Sequence, residues 1–129
     1  MTSLNQSTAL KTLPALILFA VAGCQGERAI SYSQEVRPIL ETYCIECHKS
    51  GGQGYVASGF SMETYADLMK GTHNGPMIIA GDSQGSNLLV LMEGRADPSI
   101  KMPHGKQKGA SQAEIETIRL WIDQGAKDN

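Results

Sequence analysis

The residues of this chain best suited to bind a cofactor are two cysteines and a histidine in the segment from Cys44 to His48, which reads CIECH. On a helical turn, residues three and four positions apart lie on one face. Two thiols and one imidazole would therefore project to the same side and could hold a single cofactor. The spacing is typical of covalent c-type haem attachment, with one haem bound through Cys44 and Cys47. His48 would be the proximal iron ligand, its other ring nitrogen donating a hydrogen bond to a nearby acceptor.

Three other interpretations of the cysteine pair agree less well with the sequence. A structural zinc site would need four nitrogen or sulfur ligands, commonly from two cysteine pairs, and no second pair is present. A thioredoxin-like redox pair would be expected near a βαβ pattern, which the chain does not show. A disulfide across this spacing on a helix would be strained. Haem attachment is therefore the favoured interpretation.

A second axial ligand is predicted in the loop KMPHG, residues 101–105. Pro103 restricts Met102 to an extended conformation and stiffens the loop, which suits a weakly binding thioether. The other methionines after Met1 lie on helices or apolar runs, where filling gaps in the core is the simpler role. Met102 is the favoured distal ligand, and His104 or an open coordination position is the alternative.

The N-terminal segment is predicted to be a targeting signal. Lys11 precedes an apolar run from Leu13 to Gly23, which is shorter than the roughly 20 residues that a membrane span needs. The run ends in VAGC, which resembles a bacterial lipobox, in which the cysteine is acylated and the signal is cut just before it. An ordinary signal peptide with an incidental Cys24 is the alternative. We expect a lipoprotein signal over residues 1–23, a lipidated N-terminus at Cys24 with a tether over 24–31, and one domain over 32–127.

Composition narrows the classes of partner and the number of domains. The 129 residues suffice for one domain, and 11 Lys plus Arg stand against 13 Asp plus Glu. No basic stripe or aromatic-interleaved patch indicates nucleic-acid binding. We therefore expect no nucleic-acid partner.

The elements that must position the candidate ligands are predicted to be helical, with no convincing alternating strand. A first helix is expected to start at Ser31 or Ser33, with Ser31 and Gln34 spaced as a capping box. Residues 50–59, with four glycines, are predicted to be a loop. Further helices are expected from a cap at Ser61 to Lys70 and from a cap at Asp82 to Met92.

The last helix carries the strongest signals. Ser111 and Glu114 are spaced as a capping box, and Gly125 provides a stop. An apolar stripe recurs between them at helical spacing: Ile115, Ile118, Trp121 and Ile122. The predicted class is an all-α domain of about four helices with long loops.

Together these residues resemble the small class-I-like c-type cytochromes, in particular the planctomycete-type cytochrome c domain, over roughly residues 32–126. The resemblance implies a cytochrome c-like fold around one covalent haem, with His48 and Met102 as its axial ligands. Many class I members place a proline after the CxxCH motif, whose carbonyl accepts the proximal histidine's N–H. Residues 50–59 contain no proline, so the acceptor for His48 stays unassigned. The similarity rests on VRPIL (36–40), CIECH (44–48), METY (62–65), Gly81-Asp82 with Ser86, KMP (101–103) and LWIDQGA (120–126).

The expected function is one-electron transfer rather than catalysis. An iron ligated by histidine and methionine has no open position for a substrate and exchanges single electrons between Fe(II) and Fe(III). The expected partners are redox proteins of a respiratory or related electron-transfer chain. The expected location is a bacterial membrane surface, with the domain anchored through Cys24 in the periplasm or on the cell surface. The alternatives are a five-coordinate haem protein acting as a peroxidase or gas sensor, and a haem-bearing docking module.

Overall fold

The computed structural model describes residues 27–105 and 108–129. Within these ranges the chain forms helices joined by loops. The loops contain two isolated β-bridges but no strand, which confirms the all-α class. The predicted signal segment and Cys24 lie outside the described residues. The elements are a π-helical turn Tyr32–Val36, α1 Arg37–Tyr43, α2 Gln53–Ser58, α3 Tyr65–Lys70, α4 Asn87–Met92, a 3-10 helix Pro98–Ile100 and α5 Gln112–Asp123.

None of the helices in the described part of the chain is both long and apolar enough to cross a membrane.

The core is centred on α5. Its predicted apolar stripe, from Ile115 to Ile122, is buried as expected. Tyr32 of the π-helical turn stacks on Trp121 with ring centroids 5.4 Å apart, and Tyr65 of α3 meets Tyr32 edge-on at 5.2 Å. Leu89 of α4 is fully buried in the same core. The first and last elements therefore pack together and form the frame on which the loops are held.

The two ends of the described chain are joined by hydrogen bonds. The Ile30 N–H donates to Oε1 of Gln124 at 2.8 Å, and Ile30 itself is buried. The Asn129 side chain accepts from the Tyr32 N–H at 2.7 Å and donates to the Ile30 carbonyl at 3.1 Å. The tether predicted over 24–31 thus overlaps, at its C-terminal end, a segment that is packed onto the domain.

The first helical segment is capped by Ser31, but not by the pair expected from the sequence. The Ser31 hydroxyl accepts from the Gln34 N–H at 3.3 Å, as predicted. In the reciprocal bond, the Ser31 N–H donates to the carboxylate of Glu35 at 3.0 Å rather than to the side chain of Gln34. The wider π-helical turn at this point brings Glu35, one residue further along, over the cap.

The prediction that residues 50–59 form a loop is wrong, because they contain α2. Gly52 is extended and precedes the helix, and Gly59 ends it in the left-handed conformation with φ of 71°. These glycines therefore mark the two ends of a short helix. The count of about four helices is raised to five by α2 within the described residues.

Two other helix starts also differ from the predicted caps. α3 begins after Thr64, whose hydroxyl accepts from the Asp67 N–H, rather than after Ser61. α4 begins after Ser86 rather than Asp82, since the Asp82 carboxylate accepts from the Gly85 N–H in a preceding turn. The predicted capping box of α5, between Ser111 and Glu114, is confirmed.

Candidate cofactor site

The two cysteines and the histidine lie on a single helical turn that follows α1. The His48 N–H donates to the Cys44 carbonyl at 3.0 Å, and the Cys47 N–H donates to the same carbonyl at 3.1 Å. Cys44 is half-buried, Cys47 is exposed, and neither forms a disulfide. All three residues of this turn line the same cavity.

That cavity has a volume of about 350 Å³ and a mainly apolar lining. This is within the range of roughly 300–1,000 Å³ found for cofactor and small-molecule sites. Met102, from the loop between α4 and α5, lines the same cavity as His48. The structure thus brings together the four cofactor-binding residues named from the sequence. The wall is completed by Tyr43, Gln53, Gly54, Ala57, Ser58, Phe60, Met62, Met77, Leu88, Leu91, Met92, Pro103, His104 and Ala110.

The His48 imidazole is buried and held by a hydrogen bond to the backbone. Its Nδ1 lies 3.1 Å from the Phe60 carbonyl oxygen, and its ring meets the Phe60 ring edge-on at 5.3 Å. Because a carbonyl can only accept, Nδ1 carries the proton and Nε2 keeps its lone pair. This is the tautomer required of a histidine that binds a metal through Nε2.

Electrostatics also favour a neutral His48 side chain. Burial lowers the pKa of His48, and the charge of His104 lowers it further, while the hydrogen bond to Phe60 works in the opposite direction. Burial also raises the pKa of the Cys44 thiol to about 12, with a smaller contribution from Cys47. Both groups are therefore uncharged at neutral pH, as their place on an apolar wall requires.

The segment Phe60–Glu63 is attached closely to the turn that carries His48. The Met62 N–H donates to the His48 carbonyl at 2.8 Å. The Glu63 carboxylate accepts from both the N–H and the hydroxyl of Ser50, at 2.9 and 2.8 Å. The acceptor that the sequence left unassigned is thus the Phe60 carbonyl, at the start of this segment. A backbone carbonyl carries no side-chain signal, which is why the sequence did not reveal it.

Gly54 of α2 lies directly against the imidazole. A Cβ atom at this position would be 2.7 to 2.9 Å from three atoms of the His48 ring, closer than side chains pack. Only glycine therefore allows α2 to approach the ring this closely. The glycine-rich composition of residues 50–59 was visible in the sequence, but not which glycine meets His48.

The Met102 side of the cavity is built differently. Met102 is half-buried, and its N–H donates to the Leu91 carbonyl at 3.1 Å. Three more methionines line the same cavity: Met62 and Met92 are buried, and Met77 is half-buried. His104 lines it too but is exposed. The choice of Met102 among these groups remains a prediction.

The donor set fits a covalently attached haem. Two free thiols, an imidazole with a fixed tautomer and several thioethers share one apolar cavity. Residues 27–105 and 108–129 contain no group of three or more His, Cys, Asp or Glu placed to hold a metal ion.

A helical domain that gathers a CxxCH turn and a methionine loop around one apolar cavity is the arrangement expected of a c-type cytochrome. The sequence matches the family described as Planctomycete cytochrome C over residues 44–115, more than half of the chain, and the chain belongs to this family. The resemblance found in the sequence is thereby confirmed. Membership in a cytochrome c family indicates a haem-binding domain for electron transfer. No curated protein and no solved structure shows significant similarity to the chain.

Proposed function

We propose that this protein is a lipid-anchored, monohaem carrier of single electrons. In this proposal Cys44 and Cys47 form thioether bonds to one haem, and His48 and Met102 bind its iron. The observation that carries the proposal is the hydrogen bond from Nδ1 of His48 to the Phe60 carbonyl. It leaves Nε2 of the neutral imidazole free to bind a metal. Both thiols and a thioether share the cavity that this ring lines.

The residues of the chain act by orienting the ligands and excluding water. The Phe60 carbonyl and Gly54 fix the imidazole ring, while the apolar wall lowers the local dielectric constant. A haem held here supplies one-electron exchange between Fe(II) and Fe(III), with a potential raised by methionine ligation and tuned by burial. With His48 and Met102 both bound to the iron, the site would offer no position at which a substrate could bind.

A reversible redox titration of the purified holoprotein tests the proposal. We expect a low-spin spectrum in both oxidation states, a Met–Fe(III) charge-transfer band and a one-electron transition without hysteresis. Cyanide should bind the ferric protein slowly, because it must displace Met102. A high-spin ferric spectrum with rapid cyanide binding would contradict the proposal and favour a five-coordinate peroxidase or gas sensor.

The location and partners are part of the same proposal. Acylation of Cys24 would anchor the domain to a bacterial membrane, within reach of redox proteins of a respiratory or related chain. Two or more acyl chains anchor a protein stably, whereas one does so only marginally. We expect the intact mass of the wild type and of Gln25→Ser to include acyl chains at Cys24, whereas Cys24→Ser should carry none and should keep its signal segment. A wild type without acyl chains would contradict lipid anchoring.

A further inference from the structure

Arg37, the first residue of α1, reaches out of its own helix to a distant segment. Its Nη1 donates to the Glu63 carbonyl at 2.6 Å and to the Met62 carbonyl at 3.1 Å. Its Nε donates to the carboxylate of Glu41, one helical turn further along α1, at 2.7 Å. A single guanidinium therefore ties α1 to two consecutive backbone carbonyls of the segment Phe60–Glu63.

The same segment contacts His48 through its other backbone groups. The Phe60 carbonyl accepts from Nδ1 of His48, and the Met62 N–H donates to the His48 carbonyl. His48 thus contacts the segment at Phe60 and Met62. Arg37 contacts the same segment at Met62 and Glu63. Any shift of the segment away from Arg37 would also move the acceptor of the imidazole proton.

Arginine suits this task better than lysine. A guanidinium presents five N–H donors in a rigid plane, so it can bind two carbonyls and a carboxylate at once. A lysine ammonium is a compact charge on a flexible stem and does not fix the relative position of its acceptors. The pKa of Arg37 is raised, chiefly by its hydrogen bond to Glu41, so the group remains charged.

We infer that Arg37 is a positioning residue for the proximal histidine: it fixes the segment Phe60–Glu63 so that the Phe60 carbonyl accepts the His48 Nδ1 proton. The inference rests on the proposed role of His48 as an iron ligand. Partners in the outer shell of a metal site orient the ligating histidine and raise its basicity. Arg37 acts one contact further out, through the backbone.

The test compares Arg37→Gln and Arg37→Lys with a matched control, Glu41→Gln, in the holoprotein. Glu41→Gln weakens the ion pair on α1 but leaves the contacts of Arg37 with Met62 and Glu63 in place. The readouts are the exchange rate of the His48 Nδ1 proton, measured by NMR in the reduced protein, and the midpoint potential. Neither depends on turnover, and the folded fraction is checked by circular dichroism.

We expect Arg37→Gln to speed Nδ1 proton exchange about tenfold or more, since a weakened hydrogen bond opens more often. The potential should rise, because a less basic imidazole stabilises Fe(III) less. Arg37→Lys should give an intermediate exchange rate, and Glu41→Gln should match the wild type. If Arg37→Gln does not fold, Arg37→Lys decides, and a wild-type exchange rate in that variant would overturn the inference.

Three further outcomes are also informative. Equal effects of Glu41→Gln and Arg37→Gln would overturn the inference, because the ion pair of α1 would then be the cause. Failure of the proposed function is distinguishable, because the wild-type spectrum would itself lack the signals of a haem-ligated His48. A wild type with those signals and an unchanged Arg37→Gln contradicts only the role of Arg37.

Discussion

The two sides of the cavity are held in contrasting ways. His48 is fixed at its ring by the Phe60 carbonyl, at its backbone by the Met62 N–H, and on one ring face by the backbone of Gly54. Met102 lies in the loop between α4 and α5, and its N–H donates to the Leu91 carbonyl of α4. The protein therefore fixes the orientation of the imidazole through its own contacts, whereas the position of the Met102 thioether would depend more on a bound metal.

The empty space around the two proposed ligands, His48 and Met102, differs in the same direction. Met102 and Pro103 line not only the main cavity but also a second one of about 480 Å³, bounded by residues of α4 and α5. The loop that carries the thioether thus has open volume on two sides. Around His48, by contrast, even a single added carbon at Gly54 has no room. We therefore expect His48 to be a rigidly held, strong ligand and Met102 to be a weaker ligand that the protein supports more loosely.

Removing the rigid side should have the largest effect. We expect His48→Ala to lower the yield of haem-containing protein by more than about tenfold, since losing even an outer-shell partner costs a metal site about 10–100-fold. Haem content is measured by the pyridine haemochrome spectrum per folded chain. His73→Ala is the matched control, because His73 is exposed and does not line the cavity. Comparable haem loss in both variants would contradict the proposed role of His48 as a haem ligand.

Removing the looser side should change the spectrum but keep the haem. Met102→Ala should abolish the Met–Fe(III) charge-transfer band while both thioethers retain the cofactor. Met69→Ala, on α3 and away from the cavity, should keep the band. Loss of the band in Met77→Ala or Met92→Ala, with Met102→Ala unchanged, would transfer the distal role to another cavity methionine.

Adding one carbon on each side compares their packing directly. Gly54→Ala should lower the free energy of unfolding by about 1–3 kcal/mol, the usual cost of overpacking, and displace the imidazole. Gly109→Ala on the Met102 loop brings its new carbon only to ordinary contact, 3.4 Å from Pro103. Because it also restricts the unfolded chain, its effect should stay within about 1 kcal/mol, with either sign. Equal losses in urea denaturation would contradict the contrast between the two sides.

The smallest effect is expected from an ion pair that lies on neither side. Hydrogen bonds from Arg28, and then from the Ser31 N–H, lower the pKa of Glu35 from 4.5 to about 2. A depressed carboxyl pKa stabilises the fold above the unfolded value, and this contribution is lost as pH falls from about 4.5 to about 2. Glu35→Gln should flatten the pH dependence of the unfolding free energy in that window, less so in high salt, because the pair is exposed.

The potential of the haem should not change in Glu35→Gln. Urea denaturation at a series of pH values checks the stability effect, with Glu27→Gln as the exposed control. An unchanged slope between pH 4.5 and 2 would show that the Arg28 contact does not hold in solution.

The sequence predicted the parts of the site that depend on side chains at short range. The turn from Cys44 to His48 needs only helical spacing, and α5 combines a capping box, an apolar stripe and a glycine stop within a few residues. For the turn and for α5, the structure therefore agrees with the prediction from the sequence. These local signals reinforce one another, so no distant contact is needed to decide them.

What the sequence did not reveal depends on backbone atoms and on distant packing. The Phe60 carbonyl could not be singled out, because every residue has one. The helix α2 was hidden because glycines lower helix propensity, and its close packing on His48 becomes apparent only in three dimensions. Thr64 and Ser61 are equally good caps by type, but in the structure the Ser61 hydroxyl accepts from the Glu63 N–H before the helix, and Thr64 caps α3.

The most direct test of the central claim is the intact mass of the exported protein, compared between wild type, Cys44→Ser, Cys47→Ser and the double variant. We predict that the wild type carries the mass of one haem, retained after acid–acetone extraction, and that the double variant carries none. Each single variant should keep at most one thioether, with the shifted haemochrome maximum of a single saturated vinyl group. A wild type without covalent haem, or a double variant that retains it, would contradict attachment at this turn.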